Sequence, residues 1–256
     1  MSESNRLQSV LEMQKEWVKK WEAEEAARQK RAEEALEKYK RECSPKELEE
    51  TCRAAKVSVA SDCGIARKFL QARFDRIPPP VRAEMEACFS DAGLYLYGPV
   101  GVGKTYILSA LIFKQIENEW PKEPIFYLEL ESPKHKWQYD GEYPHLICMP
   151  AMLAKIRESF NGGKKTVSKI IQEYIDESIL FLDDIGVEKP TEYVIETLYL
   201  IINGRYEEEK QTVFSSNLSP VDLANRIGDR TVSRMLEMCK VIEITGKDRR
   251  LEQTKQ

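Results

Sequence analysis

The segment 98–105, which reads GPVGVGKT, constrains the fold of this chain more than any other part of the sequence. It matches the pattern G-x-x-x-x-G-K-[ST] and lies between a strand predicted at 94–97 and a helix predicted at 106–116. Its glycines let backbone N–H groups close around phosphate oxygens at a helix N-terminus, where the helix dipole favours anions. The predicted phosphate loop consists of Gly98, Pro99, Val100, Gly101, Val102, Gly103, Lys104 and Thr105.

Two carboxylates follow a second apolar strand, predicted at 179–182. In a phosphate-loop fold, Lys104 reaches the β- and γ-phosphates of a nucleotide, and the Thr105 hydroxyl and a carboxylate at a strand end hold Mg²⁺. Asp183 is predicted to be that carboxylate, and Asp184 is predicted to orient or deprotonate an attacking water. A turn-forming Asp pair after a core strand is the structural alternative.

Asn217 ends a third apolar strand, predicted at 212–216. A carboxamide there can hydrogen-bond both a γ-phosphate and a water, because it donates and accepts. Its alternative role is an Asx turn or a helix cap before Ser219 and Pro220.

Arg230 and Arg234 are four residues apart, so they lie on one face of a helix. Arg234 can act in phosphoryl transfer there or pair with Glu237.

From residue 93 onward, predicted strands alternate with predicted helices. This alternation favours an α/β fold with a parallel sheet. The predicted strands are 94–97, 125–130, 145–149, 179–182, 212–216 and 241–245, and the predicted helices are 106–116, 151–160 and 192–206.

The first 41 residues are predicted to form a charged amphipathic helix, since charged side chains occupy 26 of the first 56 positions. Trp17 and Trp21 lie on its thin apolar stripe, and aromatic residues are enriched at interface cores. We therefore expect this helix to dock on a partner, with packing on its own domain as the alternative. Residues 42–89 are predicted to be a helical connector, and 90–256 the main domain.

Composition limits the class of protein. The net charge of −4 argues against a generally basic nucleic-acid-binding protein, and the longest apolar runs are too short for a membrane span. The start of the chain lacks the pattern of a secretory signal, and the six cysteines are scattered rather than paired in a short chain. These features predict a cytoplasmic protein with reduced thiols.

Together, the phosphate loop and the segment from FLDDIGVEKP to ITGKDRR resemble AAA+ ATPases of the DnaC/DnaI helicase-loader and IstB type, over roughly residues 90–252. The resemblance implies a P-loop NTPase fold: an AAA+ core with a parallel five-stranded sheet, and ATP and Mg²⁺ between neighbouring subunits. By motif, it implies that Lys104 and Thr105 belong to Walker A, that Asp183 is the Walker B metal ligand and that Asp184 is the activating acid. It implies that Asn217 is sensor 1 and that Arg234, supported by Arg230, is a finger acting in trans. Arg250 is implied to be the sensor 2 arginine, with Arg249 as the competing choice.

The sequence departs from the family pattern in three places. Asp184 stands where many AAA+ proteins have Glu, which implies weak hydrolysis unless the protein is assembled or stimulated by DNA. The chain ends six residues after Arg250, so little or no helical lid is expected, and 131–144 is an unassigned insertion. The family also implies single-stranded DNA contact near Arg157, Phe160, Asn161, Gly162, Gly163, Lys164 and Lys165, where a solvated loop is the alternative.

The function predicted from these features is that of an ATP-hydrolysing loader that grips a replicative hexameric helicase through the N-terminal helix. Self-association would bring Arg234 into a neighbour's site, and no membrane partner is expected. Two alternatives stay open. One is an IstB-like helper ATPase whose partner is a transposase, and the other is a nucleotide-gated scaffold with little turnover.

Overall fold

The computed structural model of this chain describes residues 44–88, 92–119, 144–159, 165–187 and 189–249, with scattered positions before residue 42. Several expectations lie outside the described residues: Trp17 and Trp21 of the predicted N-terminal helix, the strand predicted at 125–130, and all but the last residue of the 131–144 insertion. The compact unit that holds the sheet comprises Val59–Glu119 and Gly141–Gln256.

Within the described ranges, helices and strands alternate as the sequence predicts. Two helices, α1 (Pro45–Asp62) and α2 (Pro79–Cys88), precede the first strand, and short 3₁₀ turns at Arg67–Phe69 and Phe74–Arg76 lie between them. The elements that follow are β1 (Gly93–Tyr97), α3 (Lys104–Glu119), β2 (His145–Cys148), α4 (Met149–Glu158), α5 (Val167–Asp176), β3 (Ile179–Asp183), α6 (Glu192–Glu207), β4 (Gln211–Ser216), α7 (Pro220–Ile227), α8 (Asp229–Met238) and β5 (Cys239–Glu243).

The five described strands form one parallel sheet in the order β2-β3-β4-β1-β5, which confirms the predicted fold class. The strands β1 and β3 at the centre of the fold are largely buried and apolar, as expected where helices cover the faces of a parallel sheet. Strands β3, β4 and β1 are neighbours, so their carboxyl ends meet at one edge. In open α/β sheets, ligands bind in the crevice at this edge.

The structure contains a helix that was not predicted, and it moves the start of one strand. Helix α5 was not predicted, yet Ile170, Ile171, Tyr174 and Ile175 are buried on one of its faces, and the Thr166 side chain caps its N-terminus. Strand β5 begins at Cys239, two residues before the predicted start. Helix α8 ends at Met238 and β5 begins at the next residue, the buried Cys239, so no turn separates the two elements.

The largest fully buried side chain in the described structure is charged. Arg205 of α6 donates hydrogen bonds to Thr212 Oγ1 and to the carbonyls of Gln211, Tyr174, Ile175 and Glu177, at 2.6–3.0 Å. A buried guanidinium needs such partners to offset its lost hydration. Burial lowers its pKa to about 10, so it stays charged at neutral pH. Arg205 therefore joins the end of α5 to α6 and to the start of β4.

None of the described helices combines the length and the apolar character that crossing a lipid bilayer requires.

Candidate nucleotide-binding site

The phosphate loop connects β1 to α3 at the carboxyl edge of the sheet. Gly98, Gly101 and Gly103 have φ values of 154°, 83° and 101°, in the region that favours glycine. A Cβ on Gly98 would lie 2.1 Å from the backbone oxygen of Ile244, so the chain that follows β5 also requires glycine here. The loop leads into α3 at Lys104, and the helix N-terminus faces the space that a phosphate would occupy.

Lys104 and Asn217 are in direct contact. Lys104 is 5% exposed, and its Nζ donates to Asn217 Oδ1 at 2.7 Å and to the carbonyls of Gly98 and Pro99 at 2.8 and 2.9 Å. Ser219, and not Asn217, caps α7, because the Ser219 side chain accepts from the backbone N–H of Asp222. The alternative role of Asn217 as a helix cap is therefore not the one seen.

Thr105 and Asp183 meet across the loop. The Thr105 hydroxyl donates to Asp183 Oδ2 at 2.8 Å, and the Asp183 carboxylate is 5% exposed. A hydroxyl and a carboxylate oxygen are hard ligands of the kind that Mg²⁺ takes alongside phosphate oxygens and waters. The donor set therefore fits the ion that the sequence predicts, and Thr105 and Asp183 are the residues that would hold it.

Asp184 follows at the end of β3 and has a left-handed backbone, with φ 58°. Asp tolerates this region better than most residues. Its backbone N–H donates to Ser215 Oγ at 3.0 Å, and the residue lines the same cleft as Lys104 and Asn217. The activating acid predicted from the sequence therefore lies beside the phosphate loop.

Residues of the phosphate loop, together with Asp184 and Asn217, line a cleft of about 540 Å³. The lining residues are Phe69, Arg76, Val100, Gly101, Gly103, Lys104, Thr105, Tyr106, Asp184, Val187, Asn217 and Arg249.

Phe69 and Arg76 also line the cleft, although the sequence predicts only that their segment is a helical connector. They reach the cleft because the segment is tied to α3: the backbone N–H of Arg73 donates to the Tyr106 hydroxyl at 3.1 Å. No local spacing in the sequence distinguishes Phe69 or Arg76 from the other aromatic and charged residues of this segment. An aromatic face and a guanidinium suit a base and its attached groups.

The chain after β5 returns across the phosphate loop. The backbone N–H of Ile244 donates to the Tyr97 carbonyl at 2.7 Å, and that of Arg249 donates to the Gly101 carbonyl at 3.0 Å. The Asp248 carboxylate lies against Gly101, where any side chain would clash. Arg249 therefore lines the cleft, and Arg250 lies outside the described residues.

Arg234 is held away from the residues that line the cleft. It is half-buried on α8, with its guanidinium carbon 5.2 Å from the ring centroid of Tyr199 and 5.7 Å from that of Tyr206. Its Nη1 donates to the Arg230 carbonyl at 3.3 Å, and Arg230 itself is exposed. A hydrogen bond to the Glu237 carboxylate raises the pKa of Tyr206, so Glu237 binds the tyrosine.

The basic region predicted to contact DNA is described in part. Arg157 is exposed near the end of α4, and Lys165 Nζ pairs with Glu173 Oε1 at 2.6 Å. This pairing lowers the pKa of Glu173. Residues 160–164 lie outside the described ranges.

Comparison with known proteins gives consistent relatives. No protein-family model matches the chain. The chain is similar to the replicative helicase loader DnaI of Bacillus subtilis (strain 168), with 26% identity over 171 residues, which is 62% of this chain and 47% of DnaI. The solved structure of the DnaC helicase loader matches with a TM-score of 0.57 and 21% identity, over 70% of this chain and 100% of that one.

A solved structure of AMPPCP-bound DnaA from Aquifex aeolicus matches with a TM-score of 0.51 and 21% identity, over 68% of this chain and 50% of that one. The chain spans about half the length of the DnaI protein that it matches. The chain is thus similar in sequence to a replicative helicase loader and shares its fold with the solved DnaC and DnaA structures.

Proposed function

We propose that this protein is an ATP-hydrolysing loader of a replicative hexameric helicase. The observation that carries the proposal is the convergence of Lys104, Thr105, Asp183 and Asn217 within hydrogen-bond distance at one sheet edge. Four polar side chains from three separate segments meet there, beside a loop shaped for phosphates. The similarity to DnaI and DnaC supports the loader role, and a DnaA neighbour binds the ATP analogue AMPPCP.

The residues of this chain would share the work of hydrolysis. Lys104 would exchange its carbonyl partners for phosphate oxygens, and Asn217 would hydrogen-bond the γ-phosphate and the attacking water. Asp184 would orient that water for in-line attack and accept its proton. Bound Mg²⁺, held by Thr105 and Asp183, would neutralise charge on the phosphates. The shorter reach of Asp184 relative to Glu is consistent with weak turnover by an isolated subunit.

We assign Arg234 to the site of a neighbouring subunit. It does not line the cleft of its own chain, and the two tyrosine rings orient its guanidinium before any assembly forms. Arg230 lies one turn earlier and would support it. Arg249 lines the chain's own cleft, which supports it as a candidate for the sensor 2 role beside Arg250.

We place the helicase grip on the N-terminal helix, through Trp17 and Trp21, and single-stranded DNA contact near Arg157 and the residues that follow it. The exposed guanidinium of Arg157 is available to phosphates, whereas Lys165 already has Glu173 as a partner. The scattered cysteines and the sequence pattern support a cytoplasmic location.

Size-exclusion chromatography with the host's replicative helicase and ATP tests the proposal. The full chain is expected to co-elute with the helicase, and the double variant Trp17→Ala/Trp21→Ala is expected to elute alone. The control is Glu12→Ala/Lys19→Ala, which changes the opposite side of the predicted helix and keeps the net charge. Failure of the parent chain to co-elute, with ATP binding intact, would favour the transposase-partner alternative.

A further inference from the structure

Ser215 is a buried polar residue in the middle of the sheet. It lies in β4, which is hydrogen-bonded to β3 on one side and to β1 on the other, and it is 0% exposed. A buried hydroxyl without partners destabilises the fold, so its hydrogen bonds indicate why it is tolerated.

Both functions of the Ser215 hydroxyl are used at the end of β3. The hydroxyl donates to Asp183 Oδ1 and accepts from the backbone N–H of Asp184 at 3.0 Å. The Ser215 carbonyl accepts from the backbone N–H of Ile185 at 2.8 Å. One residue therefore holds three consecutive residues, and this arrangement uses the single proton of the hydroxyl for the carboxylate.

The contact with Asp183 divides the two oxygens of that carboxylate. Oδ1 accepts from Ser215, which leaves Oδ2 facing Thr105 Oγ1 at 2.8 Å. Rotation of the carboxylate would break both hydrogen bonds at once. The side chain is thus fixed with one chosen oxygen toward the hydroxyl of the phosphate loop.

The contact with Asp184 supports a strained backbone. A non-glycine residue at φ 58° persists only where its surroundings over-determine the conformation. Hydrogen bonds from the N–H groups of Asp184 and Ile185 to Ser215 supply that constraint from the neighbouring strand. The same serine therefore fixes the direction in which the Asp184 side chain leaves β3 toward the cleft.

We propose that Ser215 is a positioning residue that fixes the Asp183 carboxylate for Mg²⁺ and the Asp184 turn for the attacking water. This inference rests on the proposed nucleotide-binding function. Mg²⁺ demands near-ideal octahedral geometry, so an oxygen that is free to rotate is a poorer ligand. Partners of a metal ligand commonly change metal affinity by about 10–100-fold when they are removed.

The neighbouring residue Ser216 offers a matched control. It lies on the same strand, is also 0% exposed, and its hydroxyl donates to the Ile185 carbonyl at 2.7 Å and accepts from the Leu218 N–H at 3.1 Å. Ser215→Ala and Ser216→Ala therefore each remove one buried hydroxyl with two hydrogen bonds. Only the first removes the partner of Asp183.

The experiment measures the affinity of each full-length variant for a fluorescent non-hydrolysable ATP analogue, in EDTA and across a Mg²⁺ titration. Ser215→Ala is expected to raise the Mg²⁺ concentration for half-maximal tightening by about 10–100-fold, with the affinity in EDTA unchanged. Ser216→Ala is expected to match the parent chain. Ser215→Thr, which keeps the hydroxyl, is expected to restore the parent's Mg²⁺ dependence even if Ser215→Ala folds poorly.

The possible results separate the two proposals. The positioning role is wrong if Ser215→Ala and Ser216→Ala both have the same Mg²⁺ dependence as the parent. It is also wrong if Ser215→Ala loses the parent's Mg²⁺ dependence and Ser215→Thr loses it as well. If the parent chain fails to bind the analogue under any condition, the proposed nucleotide-binding function is wrong instead.

Discussion

The contact between Lys104 and Asn217 is the most informative pair at the scale of single residues. Lys104 is 5% exposed and donates to three oxygen acceptors, one of which belongs to the Asn217 side chain directly after β4. The Asn217 amide oxygen accepts a hydrogen bond from Lys104 without bringing a negative charge of its own. Phosphate oxygens can therefore replace these acceptors when a nucleotide enters the cleft.

Asn217→Asp tests this arrangement. A carboxylate at that position would pair with Lys104 and repel the γ-phosphate, so ATP affinity is expected to fall by at least about tenfold, or 1.4 kcal/mol. Asn217→Ala removes the amide without adding charge, so it is expected to bind ATP nearly as well as the parent but to hydrolyse it more slowly. Titration with a fluorescent ATP analogue measures the ATP affinity of both variants, and phosphate release measures hydrolysis by Asn217→Ala. Equal binding by Asn217→Asp and the parent would contradict the arrangement.

At the scale of elements, Arg205 holds together the side of the domain formed by α5, α6 and β4. Carbonyls at a helix end lack partners within the helix, and Arg205 satisfies those of Tyr174 and Ile175. The guanidinium replaces water that cannot reach this buried position.

Arg205→Met is expected to destabilise the fold by about 3 kcal/mol or more, because it leaves several buried acceptors without donors. Urea unfolding followed by circular dichroism measures the change. Arg157→Met is the control, since it removes an exposed arginine from α4 and should alter stability by less than about 0.5 kcal/mol. A small effect at Arg205 would show that its hydrogen bonds contribute little net stability.

Tyr174 of α5 predicts an effect of the opposite sign. Its ring is 1% exposed, and its hydroxyl has no hydrogen-bond partner among the described residues. Tyr174→Phe removes this polar group and is expected to stabilise the fold by about 1 kcal/mol at neutral pH. Thermal unfolding of the two proteins checks the sign, and a loss of stability would indicate that the hydroxyl has a partner in solution.

The same substitution changes the response to alkali. Burial raises the pKa of Tyr174 to about 12, from an ordinary value of 10. Between these pH values the unfolded chain loses the phenol proton while the folded chain keeps it, so stability falls as pH rises. Tyr174→Phe is expected to flatten this fall between pH 10 and 12, and an unchanged slope would contradict the buried environment.

At the scale of the whole molecule, an Arg234 that acts in trans makes hydrolysis depend on assembly. Arg234→Ala is expected to keep ATP binding and lose assembly-dependent hydrolysis. Lys104→Ala is expected to lose ATP binding but to keep its arginine for a neighbour's site. Mixing the two inactive variants should therefore restore part of the activity, because some interfaces then combine an intact site with an intact arginine.

A colorimetric phosphate-release assay at fixed total protein measures this complementation. If mixed variants are no more active than either alone, while each still assembles, the assignment of Arg234 to a neighbour's site is wrong. Arg230→Ala changes the exposed arginine of the same helix, and because Arg230 has only a supporting role it is expected to lower this hydrolysis less than Arg234→Ala does.

The sequence predicted the parallel sheet and the polar residues that lie at its carboxyl edge, because both depend on residues close together in the chain. Apolar runs give the strands, and polar residues directly after them, such as Asp183 and Asn217, lie where parallel strands end together. The strand order and the contacts of Arg205 and Ser215 could not be read, because they depend on residues distant in the chain. Phe69 and Arg76 escaped for the same reason, since the Arg73–Tyr106 hydrogen bond that brings their segment to the cleft links distant positions.

Helicase loading onto closed circular single-stranded DNA is the most direct measurement of the central claim. The replicative helicase is incubated with the DNA, ATP and this protein, and helicase bound to the circle is counted after a wash in high salt. We predict that loading rises with the parent chain and stays at the background level with Lys104→Ala or with ADP. Equal loading without this protein, or with Lys104→Ala, would contradict an ATP-dependent loader.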